Sequence, residues 1–510
     1  MIHMKHIHKY FLTIACCLAL SGIHAQFKSG DSDSTRTLIV FFDGLRPDYI
    51  TPEAMPHLYA FKKKNVYGAQ HHSVFPTVTR VNSASYSTGS YPATNGLMGN
   101  SVYFPEVSKT SSINTGNAEE LQKIAEATHG KLLTAISLGE ILQSHGKRMM
   151  VFSSGSTGQA FLQNHTISGG AIINPSMILP ASLKDSIYKD LGPVSPDGKH
   201  KWVTDALIRY GFAADGPLIS AIWYADPDGA AHSHGIGSPE AMASIKTVDA
   251  EFGRIIDTLE SRGLTQSYNI LISTDHGFVT YVGKKGLVET LIEKGFKKTA
   301  NSDDVVVAGG AIYVKDHDPA VIRKIVTALQ PLESTGAIFT KAIKPGDMKG
   351  VVEGTLSFNS IHWNHKRAAD ILVDANWDDR KNTTGYAGAA YVQGVAGHGS
   401  LSPYEVHIPL LVSGPAFRKG YESDLPTSNV DLVPTILYIH KIAIPASMDG
   451  RVMNELLINP AANFPKTAKK EMIKTDVAYP GGIYHLALES SVIGKFRYVD
   501  FARVTRKLKE

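Results

Sequence analysis

Three runs of this chain are apolar on both faces, and each reaches an acidic end: TLIVFFDG (Thr37–Gly44), LISAIWYADPDG (Leu218–Gly229) and YNILISTDHGF (Tyr268–Phe278). A strand without a polar face has to be covered on both sides, which is the situation of a parallel sheet between helical layers. Helices with ordinary start and stop signals separate the runs. Ser238 caps one, Pro239 opens it, Ile245, Val248, Phe252, Ile255 and Leu259 form its apolar stripe, and Gly263 closes it. A further unit leads from TAISLGEILQSHG (Thr134–Gly146) into the strand RMMVFSS. This alternation predicts an α/β sandwich with a mostly parallel central sheet flanked by helices. In such folds the ligand crevice lies at the carboxyl ends of the strands, where every one of these acids sits.

The 510 residues allow one large core with insertions. A formal charge of +4 is slight for this length and gives no electrostatic footprint for a nucleic-acid-binding surface. Residues 1–25 read as a signal peptide, with Lys5 and Lys9 ahead of the apolar FLTIACCLALSGI and a small residue, Ala25, at the cleavage point. That apolar run is too short for a comfortable membrane span, so no transmembrane segment is expected after cleavage. Both cysteines, Cys16 and Cys17, fall in the leader, and Thr13 and Ile14 make a poor context for lipid attachment. The expectation is an exported protein of the bacterial periplasm or the extracellular space, without disulfides or a lipid anchor. Residues 26–36 read as a flexible lead-in and 37–280 as the first part of the core. Residues 281–391 read as a smaller inserted lobe, and 392–510 as core completion followed by C-terminal strands.

The strand ends bring together Asp43, Asp228 with His232, Asp275 with His276, and His398 from VAGHGS. Singly these residues are ordinary, since an Asp after a strand commonly caps the next helix. Together, three aspartates and three histidines at one sheet edge make a ligand inventory for two divalent ions, zinc suiting it best. His234 is nearby but reads as a bystander. The segment SVFPTVTRVN adds two alcohols, Thr77 and Thr79, ahead of the turn-rich SYSTGSYPATNGLMGN. Threonine is a poor nucleophile unless a cation lowers its pKa, so either hydroxyl at a strand end beside Asp43 would suit in-line phosphoryl displacement. There is no G-x-S-x-G elbow for a serine esterase and no G-x-x-x-x-G-K-[ST] loop for a nucleotide-triphosphate motor. A purely structural metal site, which commonly uses cysteine, is the remote alternative.

FFDGLRPDY, PTVT, TGSYPATNGLMGN, ADPDGAAH, STDHGF and GHG follow one another in the order of the type I phosphodiesterase/nucleotide pyrophosphatase branch of the alkaline phosphatase superfamily. The resemblance spans about residues 37–417 and implies a secreted hydrolase of phosphodiester or pyrophosphate bonds, with small phosphate esters as substrates. It implies Thr79 as the nucleophile, one zinc on Asp43, Thr79, Asp275 and His276, and a second on Asp228, His232 and His398. Asn100 matches the family's asparagine that holds a phosphoryl oxygen. The chain departs from the pattern at Arg80, where nucleotide-cleaving members usually carry a base-stacking aromatic residue. A cation there suits a substrate carboxylate or terminal phosphate, while Tyr224, Tyr281 and Trp363 remain candidates for stacking. Phosphomonoesterases and phosphonate hydrolases such as phosphonoacetate hydrolase share the metals and the threonine. Several of them add basic residues to the phosphoryl site, and none is seen in SSGSTGQAFL (Ser153–Leu162), which leans toward a diester.

Overall fold

The structure, a computed structural model, describes residues 35–509. The expected leader at 1–25 and all but the end of the expected lead-in lie outside the described residues. Ten strands form the central sheet: β1 (Arg36–Phe42), β2 (Val66–His72), β3 (Met149–Ser153), β4 (Ala171–Asn174), β5 (Met177–Leu179), β6 (Ile219–Tyr224), β7 (Tyr268–Ser273), β8 (His407–Ser413), β9 (Tyr421–Ser423) and β10 (Thr427–Ser428). Their order is β9-β2-β8-β7-β1-β6-β3-β4-β5, with β10 also beside β2. β1 lies parallel to β6 on one side and to β7 on the other, so their acidic ends share one edge. Antiparallel pairing enters only at β8 and β5, leaving the sheet mostly parallel.

Helices cover both faces, as expected for strands buried on each side. Pro239–Ser261 starts where its signals place it, with the Ser238 hydroxyl accepting from the Ala241 N–H. Leu138–Ser144 starts later than the sequence suggests, because Ser137 and Glu140 close a capping box there. A larger difference concerns the segment after PTVT. Its Ser, Thr and Asn content reads as turn, yet Thr79–Thr88 is a helix, buried at every position except Arg80. Its hydroxyls turn back onto the helix itself, Ser83 onto the Thr79 carbonyl and Thr88 onto that of Ala84. Small side chains satisfied in this way let the helix press into the core beside the sheet.

Beyond β7 the chain builds two smaller sheets. Val305–Ala308, Ala311–Val314, Thr335–Thr340, Leu356–Ser357 and Ile371–Ala375 form one, which packs with helix Pro319–Leu329 around its own apolar cluster. Val279–Gly283, Trp377–Lys381, Ala387–Gln393 and Ala396–Gly397 form the other, whose last strand leads directly into His398. Lys469–Tyr479, Gly482–Ile493 and Phe496–Leu508 close the chain as an antiparallel sheet. Among the described residues no helix is long and apolar enough to cross a membrane.

Candidate active site

Because β1, β6 and β7 run side by side in parallel, their loops must cross closely at the shared edge. Asp228 donates its N–H to the Asp43 carbonyl at 2.9 Å, tying two of the ends together. Gly44 turns the chain there at φ +74°, and a Cβ would stand 3.1 Å from that of Asp228, so glycine meets both demands. Asp275 is held by the N–H of Gly44 at 3.1 Å and the Thr274 hydroxyl at 3.1 Å. Helix Asp228–His234 carries His232 one turn on, its Nε2 3.2 Å from Asp228 Oδ1. His398 Nε2 approaches the same oxygen at 3.4 Å. His276 Nε2 lies 3.0 Å from Asp275 Oδ2 and 3.6 Å from Asp43 Oδ1.

The ligating atoms of Asp43, Asp275 and His276 fall within 4.8 Å of one another, and so do those of Asp228, His276 and His398. His232 belongs to neither group and has 42% of its side chain exposed, and His234, outside both groups as well, is exposed at the end of the same helix. Two observations show that these side chains fit a cation. Asp43 Oδ1, Asp228 Oδ1 and Asp275 Oδ2 are buried and make no hydrogen bond. In addition, His232, His276 and His398 each direct Nδ1 at a backbone carbonyl, of Ala396, Gly277 and Thr77, at 3.0, 3.0 and 2.8 Å. The hydrogen therefore belongs on Nδ1, and the Nε2 lone pair faces the acids, the usual posture of a metal-ligating histidine.

Without a cation the pocket is electrostatically strained. Burial, then repulsion from Asp275 and Asp228, pushes Asp43 well above the carboxylate range. Burial opposes ionisation of Asp228 as well, but the imidazoles of His232 and His398 beside it win and hold it low. His276 rises because Asp275 outweighs burial, whereas burial and His276 press His398 down to about 4. Two stacked imidazoles, with centroids 3.4 Å apart, cannot comfortably both be charged.

Thr79 opens its helix at the mouth of this pocket, buried, with Oγ1 3.3 Å from His276 Nε2. Thr77 is turned away and donates to the Ser400 carbonyl at 2.7 Å. Asn100 Oδ1 accepts the backbone N–H of Arg80 at 3.0 Å, which fixes its side chain against the same helix end. The Arg80 guanidinium rests on Gly116, where a Cβ would come within 2.4 Å of Nη2, and its buried Nε has no partner. Burial lowers its pKa, while Asp43, Asp228 and Asp275 act in the opposite direction. Beside Asn100 and His398 a cavity of about 480 Å³ opens, walled by Phe75, Val78, Met98, Tyr281 and Leu372.

Two of the stacking candidates are not at the site. Tyr224 is fully buried beneath the sheet with its hydroxyl bonded to that of Thr204, and Trp363 is fully buried with its N–H on the Met98 carbonyl. Both belong to the core, and an aromatic residue in a strand or loop carries no sign in the sequence of which face it occupies. Tyr281 does line the cavity and donates to the His398 carbonyl at 3.2 Å. In the sequence Trp223 reads as one more apolar strand residue. Its indole stacks on Phe41 and donates to Asp43 Oδ2 at 3.0 Å, orienting that carboxylate. Ser154, His200 and Asp226 likewise form a buried chain that braces the turn leading to Asp228, through bonds of 2.9 and 2.6 Å. Only the alternation of side chains along β6 could have hinted at Trp223.

The family model described as type I phosphodiesterase/nucleotide pyrophosphatase matches residues 37–392. The chain belongs to this family. It is therefore a hydrolase of phosphoric esters in a metal-dependent family, with the alkaline-phosphatase-like fold. Mouse bis(5'-adenosyl)-triphosphatase enpp4 is 25% identical over 424 residues, covering 82% of this chain and 80% of the mouse protein. Human ectonucleotide pyrophosphatase/phosphodiesterase family member 5 is 22% identical over 438 residues, covering 85% and 80%. Among solved structures, murine ectonucleotide pyrophosphatase/phosphodiesterase 5 aligns with a TM-score of 0.57 at 19% identity, over 81% of this chain and 96% of the other. That structure is of an inactive threonine-to-alanine form in complex with AMP.

Proposed function

We propose that this member is an exported two-zinc hydrolase that cleaves phosphodiester or pyrophosphate bonds of small nucleotides through a phosphothreonine intermediate. The reading rests chiefly on Thr79: a buried hydroxyl at a helix start, beside His276 and three carboxylate oxygens that make no hydrogen bond. The murine relative that a threonine-to-alanine change leaves inactive, solved with AMP, supports a threonine-dependent route and the substrate class. Asp43, Thr79, Asp275 and His276 would hold one ion, and Asp228, His232 and His398 the other. When bound, such ions supply Lewis-acid charge and acidify an oxygen nucleophile.

The chain's own groups divide the remaining work. The first bond formed joins Thr79 Oγ1 to phosphorus as the leaving oxygen departs, and water later attacks that phosphothreonine to release the product. Asn100 has committed its carbonyl oxygen to Arg80 N–H, so its amide N–H₂ is the part left to donate to a phosphoryl oxygen. The cavity beyond Asn100 takes the organic group, with Tyr281 offering a ring face. Arg80 answers a second anionic group, such as the next phosphate of a pyrophosphate substrate. That same cation also keeps a phosphomonoester or phosphonate in play as the second reading. The leader at residues 1–25 supports export to the periplasm or cell exterior.

The test is hydrolysis of p-nitrophenyl phosphate against the p-nitrophenyl ester of thymidine 5′-monophosphate, with and without chelator. Chelator-sensitive preference for the diester is expected, and preference for the monoester would move the protein to the second reading. Thr79→Ala should lower kcat by about 10³-fold or more while the metal content stays the same. Turnover retained by that variant would sink the phosphothreonine route.

A further inference from the structure

Away from the catalytic edge, three more metal-type side chains converge from distant parts of the chain. His72 ends β2, His407 opens β8, and the two are directly paired across the strands. Asp500 reaches them from the last strand of the C-terminal sheet, Phe496–Leu508. The ligating atoms of all three lie within 4.8 Å of one another. His72 and Asp500 are almost fully buried, and Tyr498 covers the imidazole of His72 with ring centroids 5.7 Å apart.

The hydrogen-bond arithmetic at His72 is informative. Its Nδ1 faces the Thr427 carbonyl at 2.9 Å, so that nitrogen carries the hydrogen. Its Nε2 faces Asp500 Oδ1, also at 2.9 Å. A neutral imidazole cannot donate at both atoms, so Nε2 needs either a second proton or a metal ion. This is the posture of His232, His276 and His398, each of which also gives Nδ1 to a carbonyl and turns Nε2 toward carboxylate. Among the described residues the ring nitrogens of His407 have no hydrogen-bond partner.

We propose that His72, His407 and Asp500 form a further metal site, for a divalent ion of the zinc class, that fastens the C-terminal sheet to the central sheet. Two imidazoles and one carboxylate match that ion, with the fourth position left to solvent. Tetrahedral ligands about 2.1 Å from zinc stand about 3.4 Å apart, so His72 Nε2 and Asp500 Oδ1 need part only slightly. Asp500 is also bonded by Ser491 at 3.0 and 3.1 Å and by Lys470 Nζ at 2.9 Å. The Ser491 bonds hold the carboxylate in place. Lys470 has to yield, and its half-exposed chain has Glu489 Oε1 3.5 Å away to receive it. The site shares no residue with the catalytic groups and does not depend on how they bind metal.

The test counts zinc in the purified full chain by elemental mass spectrometry. His407→Ala and Asp500→Asn should each hold one equivalent less than wild type, with diester hydrolysis within about two-fold of it, whereas Lys470→Ala should lose none. Equal zinc in wild type and both ligand variants would overturn the site, leaving a hydrogen-bonded ion pair. A gain of signal guards against misfolding: His407→Cys, with Cys16 and Cys17 replaced by serine, should show a sulfur-to-metal charge-transfer band on adding Co²⁺. A folded, soluble His407→Cys protein without that band would equally count against the proposal.

Discussion

Asp43→Asn should raise the stability of the metal-free protein and lower that of the zinc-loaded one. Asp43 shares its pocket with Asp275, with ligating atoms no more than 4.8 Å apart, and two unit charges at that distance repel by ~3.5 kcal/mol at an effective permittivity of ~20. His276 offsets part of this, so neutralising the side chain should gain about 2–3 kcal/mol without metal. For a chain this long, with an unfolding entropy near 2 cal/mol/K per residue, that is a rise in Tm of about 2–3 °C. The pH dependence has a definite sign. Below the ordinary value of 3.8, Asp43 is protonated whether folded or unfolded, and asparagine gains nothing. As pH rises above 3.8, the unfolded chain releases that proton before the folded one does, so wild type loses stability relative to the variant until the raised folded pKa is passed. Zinc reverses the order, because only the aspartate supplies a charged ligand and binding stabilises in proportion to affinity. Thermal unfolding in chelator and in excess zinc, at about pH 4 and about pH 7.5, reads all four states. A lower Tm for Asp43→Asn in chelator at neutral pH, or equal zinc shifts for both proteins, would refute the reasoning.

Trp223→Phe keeps an aromatic ring on Phe41 but removes the N–H that orients Asp43, and should weaken zinc binding by about 10–100-fold in a chelator-competition titration. Unchanged affinity would show that the indole serves packing alone. Gly116→Ala places a methyl group where Arg80 Nη2 now lies, 2.4 Å from it. Loss of one charge-assisted contact should raise KM about 10-fold for pyrophosphate-type substrates with kcat little changed, and a simple diester should be spared. An equal effect on both substrates would remove Arg80 from the recognition of a second anion.

The sequence carried the sheet and its edge because both are written locally. A strand covered on both faces needs an unbroken apolar run, and the acids and imidazoles that gather at the sheet edge stand where those runs stop, so TLIVFFDG, ADPDGAAH and STDHGF could be read residue by residue. The helix beginning at Thr79 was not legible in the same way. Ser, Thr and Asn ordinarily mark turns, and only packing against the sheet makes their hydroxyls fold back onto helix carbonyls. Tertiary structure alone turned the Thr77 hydroxyl onto Ser400 and left that of Thr79 beside His276. It also decided that Trp223 faces Asp43 while its neighbour Tyr224 is buried on the opposite face, since successive strand side chains alternate and the sequence does not say which side is which. The meeting of His72 with His407 and Asp500 is of the same kind. Partners separated by hundreds of residues share no periodicity, and only strand register and sheet docking bring them within bonding distance.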